Sequence, residues 1–310
     1  MRSRTTGGGS VAICIQRDRV DVVRITRLAD AMPVIDVCAS VPQEGTEAEA
    51  LARLRREHRL ERVSCVTLMP EGDYQLHVIE APSVPPSELK SAVRWRLKDV
   101  LDYPADAATI DVFPIPGDPD APTRDKSLYA IAAPNELIAA RMEMFAEAKM
   151  RLTTIDIPEM AQRNVAALFE SPGQALAMLS LTEERGLLTF TANTELYLTR
   201  AIGVGLAELR HAEGALREQL FDRLAVELQR SLDHFDRQYS FVPLEKIVLA
   251  PLPEDIDLQA YLAEKLFVPV ETARLESCVD LSHVPDLASP AMQAEQFMTI
   301  GAALRQEASL

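Results

Sequence analysis

The chain has 310 residues, enough for two domains or two lobes, and its 47% hydrophobic and 25% charged content is that of a folded globular protein. A formal net charge of −15 excludes a general nucleic-acid role and disfavours adhesion to an anionic membrane, because both need a basic surface. No apolar run reaches the roughly 18 residues that span a bilayer, so direct membrane insertion is not expected.

Residues 1–10 hold two arginines and a Gly-Gly-Gly run without an apolar stretch, which reads as a flexible leader and not a signal peptide. Residues 11–15, 20–26 and 34–40 are rich in Val and Ile with polar breaks between them, predicting three strands. A helix follows over 46–59, with Thr46 as its cap, Glu49 completing a capping box, and Leu51 and Leu54 on its apolar stripe. Residues 63–69 then read as a short strand, closed by Pro70 to Asp73. These elements make a first lobe, 11–83.

Residues 84–157 predict a small inserted α/β subdomain. It has a helix over 87–101 carrying Trp95, strands over 109–115 and 127–132 around a Pro/Asp-rich loop (117–124), and a helix over 134–149. A connecting segment, 158–174, is helical over 158–169 and leads to a second lobe, 175–310. There the first order recurs: strands at 175–181, 186–192 and 195–202, a long helix at 215–239, and a buried strand at 246–250. Leu216, Leu220, Leu224, Leu228 and Leu232 give that helix its apolar face. A helix at 257–266, a strand at 268–270 and a final helix at 292–305, expected to pack back toward the first lobe, complete the chain.

No constellation for catalysis or metal binding stands out. Cys14, Cys38, Cys65 and Cys278 form no C-x-x-C pair and read as reduced thiols of a cytoplasmic protein. His211, His234 and His283 are scattered, Gly203 and Gly205 read as turn residues, and no G-x-S-x-G, P-loop or H-E-x-x-H motif occurs. The basic run Arg53 to Arg56 reads as the solvated side of a helix.

A β-β-β-α-β unit occurring twice is the pattern of the actin-like ATPase fold, an α/β (ribonuclease H-like) architecture. Within it the chain resembles the PilM family of pilus-assembly proteins, nearest to its MshI branch in MSHA-type type IV pilus systems, and more distantly the cytoplasmic part of GspL. The likeness rests on Leu89 to Asp99 followed by Leu101-Asp102-Tyr103-Pro104, on Ile110 to Phe113, Ala130 to Pro134 and Leu152 to Ile157, on Leu228 to Asp233, and on Ile300-Gly301-Ala302-Ala303-Leu304-Arg305. The resemblance implies a PilM/FtsA-like fold and a cytoplasmic role at the inner membrane. The implied partner is a PilN-like inner-membrane pilus protein, bound through its cytoplasmic N-terminal segment; the assembly ATPase is a second candidate partner.

The family's ATP site is expected to be degenerate here. Its hairpin turns need glycines that let backbone amides approach phosphate, and aspartates that organise Mg²⁺. The first turn is Gln16-Arg17-Asp18-Arg19, without glycine, and the second is Thr182-Glu183-Glu184-Arg185, without the aspartate and its glycine. Pro251 and Pro253 stand where a Gly-Gly pair would admit the adenosine. No cofactor, metal or catalytic residue is therefore assigned, and the expected role is a non-catalytic scaffold. The alternative is an actin-like ATP-binding protein with an atypical site regulating the same assembly.

Two readings of Trp95 remain open. With Ala92, Val93, Leu97, Val100 and Leu101 around it, Trp95 reads as a core side chain. Alternatively Trp95, Leu101 and Tyr103 line a groove between the first lobe and its insert, and the resemblance implies that such a groove takes the PilN-like segment.

Overall fold

The computed structural model describes residues 10–27, 31–61, 63–120, 126–254 and 256–306. The predicted leader, apart from Ser10, and residues 121–124 of the Pro/Asp-rich loop lie outside the described residues.

The first sheet takes β1 (Ser10–Ile15), β2 (Arg19–Thr26), β3 (Val34–Pro42), β4 (Ser64–Leu68) and β8 (Arg151–Asp156) in the order β3-β2-β1-β4-β8. Helix α1 (Glu47–Glu57) crosses from β3 to β4, and its capping box forms: Glu49 N–H donates to Thr46 Oγ1 while Thr46 N–H donates to Glu49 Oε2. Between β4 and β8 lie β5 (Gln75–Glu80), α2 (Leu89–Leu97), β6 (Ala108–Pro114), β7 (Ser127–Pro134) and α3 (Asn135–Glu147). Helix α4 (Pro158–Ala166) leaves this lobe. The second sheet repeats the first as β11-β10-β9-β12-β13, from β9 (Ala175–Leu181), β10 (Gly186–Ala192), β11 (Glu195–Ile202), β12 (Leu244–Leu249) and β13 (Val270–Thr272). Helices α5 (Leu206–His211), α6 (Gly214–Gln238), α7 (Leu258–Lys265) and α8 (Pro290–Ala303) complete it. In both sheets the first two pairings are antiparallel and the last two parallel.

The insert is a separate antiparallel sheet, β5-β7-β6, and its limits differ from the sequence reading. It takes in β5, which lies before residue 84 and was not predicted, although Leu76, Val78 and Ile79 after the Gly72 turn carry a strand signal. It gives up β8, which pairs with β4 in the first sheet, and α3, whose Phe145 is buried with Leu51 and Leu54 in the first lobe's core. Helix α3 is thus the β4-to-β8 crossover, as α7 is the β12-to-β13 crossover. The predicted 87–101 helix is a short 3₁₀ turn and the nine-residue α2.

The helices that follow each lobe exchange places. Helix α4 packs on β9, β10 and β11, while α8 packs on β1, β2 and β4, and the two cross between the sheets. The crossing is tight: a Cβ on Gly301 would lie 2.3 Å from Ala161 O and 2.7 Å from Ala161 C. Asn164 Nδ2 donates to Gly301 O at 2.9 Å, and the buried Gln162 amide donates to Met178 O and Leu187 O while accepting from Ser180 Oγ. One helix thereby holds both its partner helix and the second sheet. On α6, Leu224, Leu228 and Leu232 are buried as predicted and Leu220 is half-buried, but Leu216, in the first turn of the helix, is 55% exposed.

Burial pushes the thiols of Cys14, Cys38 and Cys65 up to about 12, since an apolar surround disfavours thiolate. These three are expected to resist a disulfide reagent in the native chain and to react at once in denaturant, followed by thiol absorbance; rapid native labelling of all four would contradict the packing.

Candidate functional site

Three concavities border the elements singled out by sequence. The first lies between the lobes, where the actin-like site would be, with a volume of about 500 Å³. Its two arginines are already neutralised. Arg19 meets Asp21 at 3.0 Å and Glu295 at 2.9 Å, and Arg210 meets Glu183 at 2.8 Å and Glu254 at 2.5 Å. The second hairpin turn is occupied as well: Leu206 N–H donates to Thr182 O at 2.8 Å and Ala207 N–H to Glu183 O at 3.0 Å. Two of the leading amides of α5 are thus spent on the turn. Gly205 permits this contact, because a Cβ there would lie 2.3 Å from Glu183 O. Sequence reading took Gly205 as a plain turn residue and did not foresee α5. Pro251 and Pro253 line the same cleft. Among the described residues no group of His, Cys, Asp or Glu is arranged to hold a metal ion.

The second concavity holds the predicted residues, but not where they were expected. Trp95 is 73% exposed, which overturns its reading as a core side chain. Its helix buries the opposite side, Val93 and Leu97, against Ala108, Ile110, Leu128 and Ala130 of the insert's sheet. Trp95, Leu101 and Tyr103 do share a pocket, yet all its lining comes from residues 94–106, so it belongs to the insert alone. Lys98 Nζ stands 5.3 Å from the Trp95 ring centre, and Leu101 and Tyr103 pack on the insert's core. The error has a plain cause: Val93 and Leu97, two residues to either side of Trp95, point to the far side of a helix with 3.6 residues per turn.

The groove between the first lobe and the insert is the third concavity, also about 500 Å³, lined by other residues. Its walls are two strand edges. Strand β6 is the last of the insert's sheet and β8 the last of the first sheet, so among the described residues each has one side without a strand partner. Consecutive residues of both strands, Asp111 to Phe113 and Leu152 to Asp156, face the cleft, so the outer edges of β6 and β8 border it, while Ile131 and Ala133 bring one face of the insert's sheet to its floor. Between them Ile131, Ala133, Ile138, Met142 and Met160 give an apolar floor.

Polar groups close the groove. Arg305, just beyond α8, pairs with Asp156 at 2.5 Å, and Tyr74 Oη donates to Glu159 Oε2 at 2.6 Å. Burial raises the Glu159 carboxyl above the ordinary range. The insert is tied to the second lobe on the same face of its sheet, since Tyr129 Oη donates to Tyr197 O at 3.3 Å beside the same bond from Tyr239 at 2.9 Å.

The backbone matches a chain of the solved PilM-PilN type IV pilus biogenesis complex with a TM-score of 0.72 and 20% identity, over 95% of this chain and 97% of that one. The chain has the actin-like ATPase fold. It also matches the cytoplasmic domain of EpsL, an inner-membrane component of the type II secretion system of Vibrio cholerae, with a TM-score of 0.52 and 15% identity over 96% of each chain. No protein-family profile matches the chain, and no curated protein does. The actin-like frame explains the placement of the concavities: α4 and α8 pack between the duplicated sheets, and the insert packs onto the core of the second lobe.

Proposed function

We propose that this chain is a non-catalytic, PilM-like scaffold of a type IV pilus inner-membrane assembly platform, of the MshI kind. It takes the cytoplasmic N-terminal segment of a PilN-like membrane protein into the groove between β6 and β8. The observation that carries this reading is the groove itself: two unpaired strand edges about an apolar floor suit an extended segment that adds main-chain hydrogen bonds and apolar anchors. The likeness to a chain of the PilM-PilN complex supports the choice of partner. Recruitment to the membrane then runs through that partner; no helix among the described residues is long and apolar enough to cross a bilayer. Co-purification of the tagged chain with the PilN-like protein of the same pilus operon tests the proposal, and recovery of the chain without it under conditions that preserve the platform counts against it.

The scaffold reading includes an interlobe cleft that does not use ATP. Its arginines are spent on carboxylates, and a triphosphate would have to displace Glu183 or Glu295 to reach them. Isothermal titration with Mg-ATP is expected to give no binding heat up to millimolar nucleotide. Micromolar binding, or an ATP-dependent change in affinity for the partner, would instead support an atypical actin-like ATP site.

A further inference from the structure

The groove has one strong donor left unused. Arg305 spends Nη1 on Asp156, while its Nε is buried and has no hydrogen-bond partner among the described residues. A buried guanidinium N–H without an acceptor costs free energy that a ligand oxygen would restore. Arg305 lines the groove at the end of β8, where an extended segment lying along that edge must pass.

The local charges define the missing acceptor. Asp156, only 6% exposed on its side chain, already balances Arg305, and the other carboxylate on the groove, Asp111, is paired with Lys90 at 2.8 Å. A second carboxylate against Arg305 would sit beside Asp156 and be repelled by it. A neutral carbonyl oxygen meets the donor without that penalty.

Resting on the groove assignment above, we infer that Arg305 sets the register of the docked segment by donating from Nε to one of its main-chain carbonyl oxygens. Arg305 is then a specificity-determining residue supplied from beyond the second lobe's final helix to a groove built from the first. The same side chain ties groove occupancy to the α4–α8 crossing, four residues before it at Gly301.

The test is fluorescence anisotropy with a labelled synthetic peptide of the N-terminal cytoplasmic segment of the PilN-like protein from the same operon. Arg305→Lys keeps a cation for Asp156 and removes the Nε donor, and is expected to weaken binding about tenfold. A series of peptides with single backbone esters, whose carbonyls are weaker acceptors, should show one position that costs affinity in the wild-type chain and costs nothing in Arg305→Lys. Equal affinity of Arg305→Lys and wild type, or the absence of any ester position that depends on Arg305, overturns the inference. A wild-type chain that does not bind the peptide, or an Ile131→Asp chain that binds it as well as wild type, removes the groove assignment and this inference with it. Should Arg305→Lys fold poorly, Arg305→Gln, which also lacks Nε and keeps an N–H donor for Asp156, takes its place in the ester series, with the same outcome overturning the inference.

Discussion

Replacing Gly301 by alanine is expected to destabilise the protein by about 3 kcal/mol or more, at the upper end of overpacking effects. The added Cβ would stand 2.3 Å from Ala161 O and 2.7 Å from Ala161 C, and both are backbone atoms that no rotamer change can move. Relief requires α8 and α4 to separate, and each is anchored on the other lobe's sheet. Separation would also stretch the 2.9 Å bond from Asn164 to Gly301 O and leave a buried amide short of a partner. Gly301→Val should be worse, while Gly117→Ala, with nothing within 4 Å of its added Cβ, serves as the neutral control. Urea unfolding followed by circular dichroism measures all three; a wild-type midpoint for Gly301→Ala would mean that the helices do not cross there.

Ile131→Asp is expected to abolish docking of the PilN-like segment, with a loss of about a hundredfold or more, while leaving the chain folded. Ile131 lies on β7, opposite Leu76 on the face of the insert's sheet away from α2, so the core of Val93, Leu97 and Ala130 is untouched and only the margin of the larger core is met. It is partly exposed on the groove floor, where a carboxylate stays hydrated until an apolar segment covers it. Covering it strips that hydration without supplying a counter-charge, a cost of about 3 kcal/mol or more. Trp95→Ala makes the informative comparison. Its pocket lies on the other side of the insert's sheet, so partner affinity should be unchanged. If anisotropy showed the reverse, with Trp95→Ala weak and Ile131→Asp normal, the segment would belong in the Trp95 pocket.

Local signals reached far into the architecture. The Thr46–Glu49 capping box formed as its spacing required, because both partners lie within one helical turn. The two runs of three strands and a helix stand where alternation and Leu spacing placed them, and their repetition pointed to the fold. Errors gathered where a residue's environment comes from distant sequence. Strand β5 was passed over because its partner, β7, lies about fifty residues on, across a helix and a loop. Residues 151–156 fell inside the predicted insert with no strand predicted there, whereas they form β8 and pair with β4. Helix α5 is short, and its first amides bond to the carbonyls of a hairpin more than twenty residues earlier.

The duplicated order of elements, the lack of glycine in both hairpin turns and the lack of aspartate in the second were set by the sequence alone, since they depend on residue type and short-range spacing. Which concavity has paired charges and which has free strand edges was decided by tertiary structure. Only the folded chain turns Trp95 outward, closes Arg19 and Arg210 onto carboxylates, and lays the free edges of β6 and β8 along one groove. It also brings Arg305 to Asp156 across 149 positions of sequence. The physical reason is that exposure, charge pairing and unpaired backbone are properties of what surrounds a residue in space, and packing between lobes supplies those surroundings.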